Sequence, residues 1–171
     1  FAIMTNIIHP LQHIESANMN DLHDQIPFNY SILENLSFDF EKTDSFFDLT
    51  KSHEIEYWQN MLFNRMNLLI RNYTYMLFYY NQRIPDEIWY KSPGSKGQSV
   101  EFFPNFKDED FTKQFNFNYF SEYFFFQGFS IFEILGHIIV NIYDIQLKRH
   151  EISFHKAINK LKDSLKFLCT R

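Results

Sequence analysis

From Ile55 to Tyr80 the apolar residues Ile55, Trp58, Leu62, Met66, Leu69, Tyr73, Met76 and Tyr80 recur at intervals of three and four. That spacing gathers side chains along one face of an α-helix. It predicts a helix over 52–82, with Ser52 or Thr50 as its N-cap. A second run keeps the same period through Phe117, Phe120, Phe124, Gly128, Ile131, Leu135, Ile138, Ile142 and Ile145. Beside it lies another stripe, Phe125, Phe129, Phe132, Gly136, Ile139 and Tyr143. Together they predict a central helix over 108–146, buried on most sides. Gly128 and Gly136 fall within these stripes, and their cost in helix propensity makes sense if another backbone approaches closely there.

The rest of the chain is shorter in period. Ser153 is a good N-cap for a third helix over 154–168, striped by Ile158, Leu161, Leu165 and Leu168. Pro10 suits the first turn of a helix over 10–25, with Leu11, Ile14 and Leu22 available to pack. Residues 28–49 show no clear period. Residues 83–107 carry Pro85, Pro93, Gly94, Gly97 and Pro104 and read as a long connection with a turn-rich tip at Ser92–Gly97. That loop either serves a function or closes a bundle end with Trp89, Phe102 and Phe103. The expected fold is all-α, a helical bundle with two long antiparallel central helices and a long connecting loop. Residues 1–50 would be an N-terminal extension or packing helix and 51–171 the bundle, in one compact domain overall.

Composition narrows the class. The chain has 171 residues, 45% of them hydrophobic, with only four glycines and five prolines, which excludes a disordered or loop-rich scaffold. Its core is expected to be rich in rings, since there are 22 Phe and 10 Tyr. A net charge of −5 disfavours non-specific nucleic-acid binding, which rests on cations neutralising phosphates. A local basic patch remains at Lys148, Arg149, Lys156, Lys160, Lys162 and Lys166. The single cysteine, Cys169, rules out an internal disulfide and a thiolate metal site and suits a reducing, cytoplasmic setting. The chain opens on Phe1 rather than Met, so residues upstream are expected, and its first residues do not read as a secretory leader. Residues 123–143 approach the length of a membrane span, but Gln127, Glu133, His137 and Asn141 interrupt them. An ionisable residue at mid-bilayer costs on the order of 3 kcal/mol, so a core helix is expected and no membrane contact.

Three constellations could carry chemistry. Asn60, Asn64, Asn67, Arg71 and Thr74 line one side of the first long helix, and Ser130, Glu133, His137, Asn141 and Asp144 one side of the second. Facing each other, they would pair Arg71 with Glu133 and bring Asn67 to His137, as a ligand groove or a polar network within the bundle; otherwise they are a solvated face. Glu133 and His137, one turn apart, could both reach a metal, as could His9 and His13 with Asp21, His23 and Asp24 nearby. Two ligands do not make a site, and neither a metal nor a cofactor is expected. The third is Arg149 followed six positions later by His155. An Arg to hold a phosphate and a His of near-neutral pKa suit RNA transesterification. The plainer reading is a surface helix start.

The segments Trp58–Asn81, Ile84–Phe106, Phe132–Ile145 and His150–Lys162, in that order, resemble the HEPN superfamily (higher eukaryotes and prokaryotes nucleotide-binding domain), and in particular its clostridial-type bacterial branch. The resemblance covers the chain from Trp58 onward. It implies an all-α bundle that forms a homodimer. Many members are metal-independent ribonucleases of toxin or defence systems, with an Arg, four to six residues and a His meeting at the dimer interface. Only Arg149 and His155 can take that role here, and His150 stands where the family often has Asn. Other members have lost catalysis and bind a protein partner or a ligand. In that case Trp89 in the loop, or Arg71, Asn67, Glu133, His137 and Asn141, would form the functional surface. The resemblance thus implies a non-catalytic interaction or ligand-binding module, or else a metal-independent endoribonuclease acting on RNA.

Overall fold

The computed structural model describes residues 21–22, 24–27 and 46–169. Its helices are α1 (Phe46–Asn81), α2 (Asp108–Ile142) and α3 (Phe154–Cys169), with a 3-10 turn at Arg149–Glu151. Between α1 and α2 a minimal antiparallel ribbon pairs β1 (Tyr90–Lys91) with β2 (Glu101–Phe102), in the register Tyr90 to Phe102. Among the described residues the fold is all-α but for this ribbon. Asp21 and Leu22 are helical, at the end of the helix expected over 10–25. Residues 10–20 and 28–45, with His9, His13 and His23, lie outside the described residues.

The helix ends differ from the expected ones for local reasons. Helix α1 starts at Phe46 and, with no Gly or Pro to interrupt it, runs through Thr50 and Ser52, which lie inside it rather than at its cap. Helix α2 stops at Ile142 because Asp144 turns left-handed (φ 50°) and the amide of Ile145 bonds back to the carbonyl of Val140 at 3.0 Å, closing a Schellman-type end. At its start Asp110 accepts the Lys107 amide at 3.0 Å, the returning half of a capping box, and three acidic residues occupy the first turn. Ser153 caps α3 as expected, accepting the Lys156 amide at 3.4 Å on its hydroxyl.

The chain divides into two units, and both long helices run through each. One unit contains Arg71–Tyr123. Here α1 and α2 pack antiparallel through rings, with Phe120 stacked on Tyr75 (centroids 4.8 Å) and Tyr79 (6.1 Å). Phe106 lies 4.6 Å from Phe103 and 5.0 Å from Phe111 between centroids, tying the connection to the first turn of α2. The connection is a stapled hairpin rather than an open loop. Ser92 donates to the Ser99 carbonyl, Gly94 N to the Gln98 carbonyl, and Ser95 N to the Glu101 carboxylate at 2.7 Å. Trp89 does not close a bundle end, being 57% exposed beside Tyr90 and Phe102.

The other unit contains the described residues up to Ile70 and from Phe124 onward. Leu62 and Leu69 of α1 bury against Ile131, Ile134 and Ile138 of α2, with Trp58, Met66, Phe124 and Leu135 around them. Each full burial of such a side chain stabilises by about 1.5–3 kcal/mol. Arg65 reaches across to the buried Gln127, donating to its Oε1 at 3.2 Å. The two glycines behave differently. A Cβ on Gly136 would meet Phe154 N at 2.7 Å and the Ser153 carbonyl carbon at 2.8 Å, whereas one on Gly128 would lie 3.8 Å from a methyl of Leu69. The close backbone approach therefore exists at Gly136, where the start of α3 crosses α2, and not at Gly128.

One expectation is overturned. Helix α2 is not buried on most sides: Phe125, Phe126, Phe129 and Phe132 are 50–70% exposed. Helix α1 covers the stripe of Ile131, Ile134 and Ile138, while on the neighbouring stripe Phe154 meets Phe132 through its ring and Gly136 through its backbone. By length and composition α2 could cross a membrane, and 28% of its most apolar window is buried.

Candidate functional site

Within the second unit, α1 and α2 bring Trp58 and His137 face to face. The rings are stacked with centroids 4.0 Å apart and planes 10° from parallel. Both positions follow from the helical period, since Trp58 lies one turn before Leu62 and His137 directly before the buried Ile138. Burial pushes the pKa of His137 below the ordinary 6.5. The carboxylate of Glu133, one turn away, opposes this, the guanidinium of Arg149 adds to it, and Glu54 opposes it more weakly. Asn141 is turned to its own helix, donating to the His137 carbonyl at 2.9 Å.

The charge of Arg149 acts on His137, and Gly136 lets the backbone at Ser153–Phe154, beyond the 3-10 turn that carries Arg149, lie against α2. His155, in the first turn of α3, is exposed and takes a hydrogen bond from Asn159 at 2.9 Å on Nε2. Arg149 is exposed as well. The cluster therefore offers a half-buried imidazole on an indole, acted on by the charges of Glu133, Arg149 and Glu54.

The polar stripes predicted from the sequence are only partly brought together. His137 stacks on Trp58 rather than meeting Asn67. Arg71 is exposed in the other unit, with no ion pair among the described residues. Thr74 is buried at 2% exposure, so it does not belong to a solvated face. Asp144 lies beyond the end of α2 and pairs with Lys51 at 2.7 Å. Glu133 is exposed, and among the described residues no three His, Cys, Asp or Glu side chains converge as metal ligands would.

A family model described as HEPN_Cthe2314-like HEPN matches residues 58–170. This chain belongs to the HEPN family. No curated protein and no solved structure matches it. The HEPN region begins at Trp58 and takes in α1 from there on, the hairpin, all of α2, Arg149 and His155. In this HEPN protein the sequence pointed to His137, Glu133, Asn141 and Arg149, but not to Trp58 and Glu54 as their neighbours. Trp58 read as one more residue of an apolar stripe, and nothing in its spacing showed which side chain of α2 it would face.

Proposed function

We propose that this HEPN protein works by binding rather than by catalysis, and that its binding face is the exposed aromatic surface of α2. The observation that carries this reading is the group Phe125, Phe126, Phe129 and Phe132, each at least half exposed on one helix. Contiguous apolar surface of this kind on a soluble domain marks an interaction site. The occupant is a second copy of the chain: the HEPN resemblance implies a homodimer, and an uncharged aromatic stripe suits an isologous interface that meets itself across a two-fold axis. On this reading the face is covered by protein, not lipid, and the molecule is a soluble cytoplasmic dimer. Sedimentation equilibrium of the wild type and of Phe126→Asp/Phe129→Asp tests it. A wild-type dimer that becomes a folded monomer in the variant supports the reading, and a monomeric wild type overturns it.

A second reading is a metal-independent ribonuclease, favoured by the exposure of both Arg149 and His155 at the α2–α3 junction. RNA cleavage in EDTA by the wild type, abolished in Arg149→Ala and in His155→Ala, would replace the binding reading.

A further inference from the structure

A cavity of about 780 Å³ opens in the first unit, between the last turn of α1, the turn that follows it and the second turn of α2. Small-molecule sites commonly have volumes of about 300–1,000 Å³. One wall is aromatic. Tyr80 and Phe117 lie 6.1 Å apart with planes tilted by 37°, and Tyr79, buried on Phe120, lines the cavity beside them.

The other wall is charged and unbalanced. Asp86, Glu87 and Arg83 line the cavity, and among the described residues none of the three has an ion-pair partner. Lys113 also lines it, but its ammonium is held by the largely buried Asp110 at 3.3 Å. Two carboxylates and one guanidinium without ion-pair partners among the described residues thus line the cavity beside aromatic rings, whose quadrupoles attract cations and repel anions.

This wall is set before any ligand arrives. Arg83 adopts φ 52°, its amide bonds to the Tyr80 carbonyl at 3.2 Å, and the Asp86 amide bonds to the Ile84 carbonyl at 2.9 Å. With Pro85 between them, these contacts hold the backbone of the turn from which the exposed side chains of Asp86 and Glu87 extend.

We propose that this cavity binds a small organic cation, a guanidinium or primary ammonium on a short carbon chain, with the charge between Asp86 and Glu87 and the chain along Tyr80 and Phe117. Such a cation could be a free diamine-like molecule or the side chain of a basic peptide. The site lies in a different unit from the aromatic face of α2, and its test does not depend on self-association.

Calorimetric titration of the full chain tests the proposal with agmatine, N-acetyl-argininamide, N-acetyl-citrullinamide as a neutral isostere and inorganic phosphate. Agmatine or N-acetyl-argininamide should bind saturably and N-acetyl-citrullinamide should not. The tighter of the two cations tells a free amine from a peptide side chain. Asp86→Asn/Glu87→Gln should weaken binding by at least about tenfold, the expected effect of losing charged hydrogen bonds, with an unchanged circular dichroism melt. Arg83→Gln should tighten cation binding, since it removes the one opposing free charge. The proposal is overturned if neither cation binds at millimolar concentration, if binding ignores Asp86→Asn/Glu87→Gln, or if phosphate binds instead and is lost in Arg83→Gln.

Discussion

The imidazole of His137 lies flat on the indole of Trp58, 4.0 Å between centroids, and so α1 and α2 hold a titratable ring in a half-buried place. Burial, the largest influence on His137, disfavours its charged form, and Arg149 does so further, against the opposing carboxylates of Glu133 and Glu54.

The unfolded chain therefore binds a proton at this position more readily than the folded one. Stability rises with pH wherever the unfolded state holds more protons. The contribution of His137 is thus fully present above the ordinary 6.5 and is lost as pH falls through its lowered folded value. Melting temperatures of the wild type should drop between pH 7.5 and 5. In His137→Phe, which keeps a ring on Trp58, the drop should be shallower. A variant with the same pH profile as the wild type would show that His137 is not responsible.

The two helical glycines of α2 predict opposite outcomes for one substitution. Gly136→Ala drives a methyl into the backbone of Ser153 and Phe154 and should cost about 1–3 kcal/mol as overpacking. Gly128→Ala meets only a leucine methyl at ordinary contact distance and should stabilise by about 0.5–1 kcal/mol through helix propensity. Urea unfolding of both variants measures the difference, and equal effects would contradict the crossing at Gly136.

Asp110 closes the start of α2 twice over, accepting the Lys107 amide on one oxygen and the Lys113 ammonium on the other. Its side chain is largely buried, at 12% exposure. Asp110→Ala should destabilise by about 1–2 kcal/mol, the cost of a lost cap, and Asp110→Asn should recover part of that. Chemical denaturation of the two variants decides it. If Asp110→Ala unfolds with the wild type, the cap contributes nothing.

Much of the helical architecture was legible in the residues. The three-and-four spacing from Ile55 to Tyr80 and from Phe117 to Ile142 marks two long helices whatever they pack against, because the period belongs to the backbone. Ser153 likewise announced its helix through chemistry confined to one turn, and the family resemblance, carried by segments from Trp58 onward, is borne out by the match over 58–170. The end of α2 was less legible, since the left-handed turn at Asp144 has no glycine to signal it.

What only the tertiary structure decided is which stripe faces which. Phe125, Phe129 and Phe132 have the same spacing and hydrophobicity as residues of a core stripe, yet they are left in solvent because α1 covers only the neighbouring face. In the same way, Arg149 lies six positions before His155 in the chain, but its charge acts on His137, and Gly136 admits the backbone of Ser153 and Phe154 against α2. Periodicity assigns a residue to a face of its own helix, and the partner of that face depends on contacts between segments far apart in sequence.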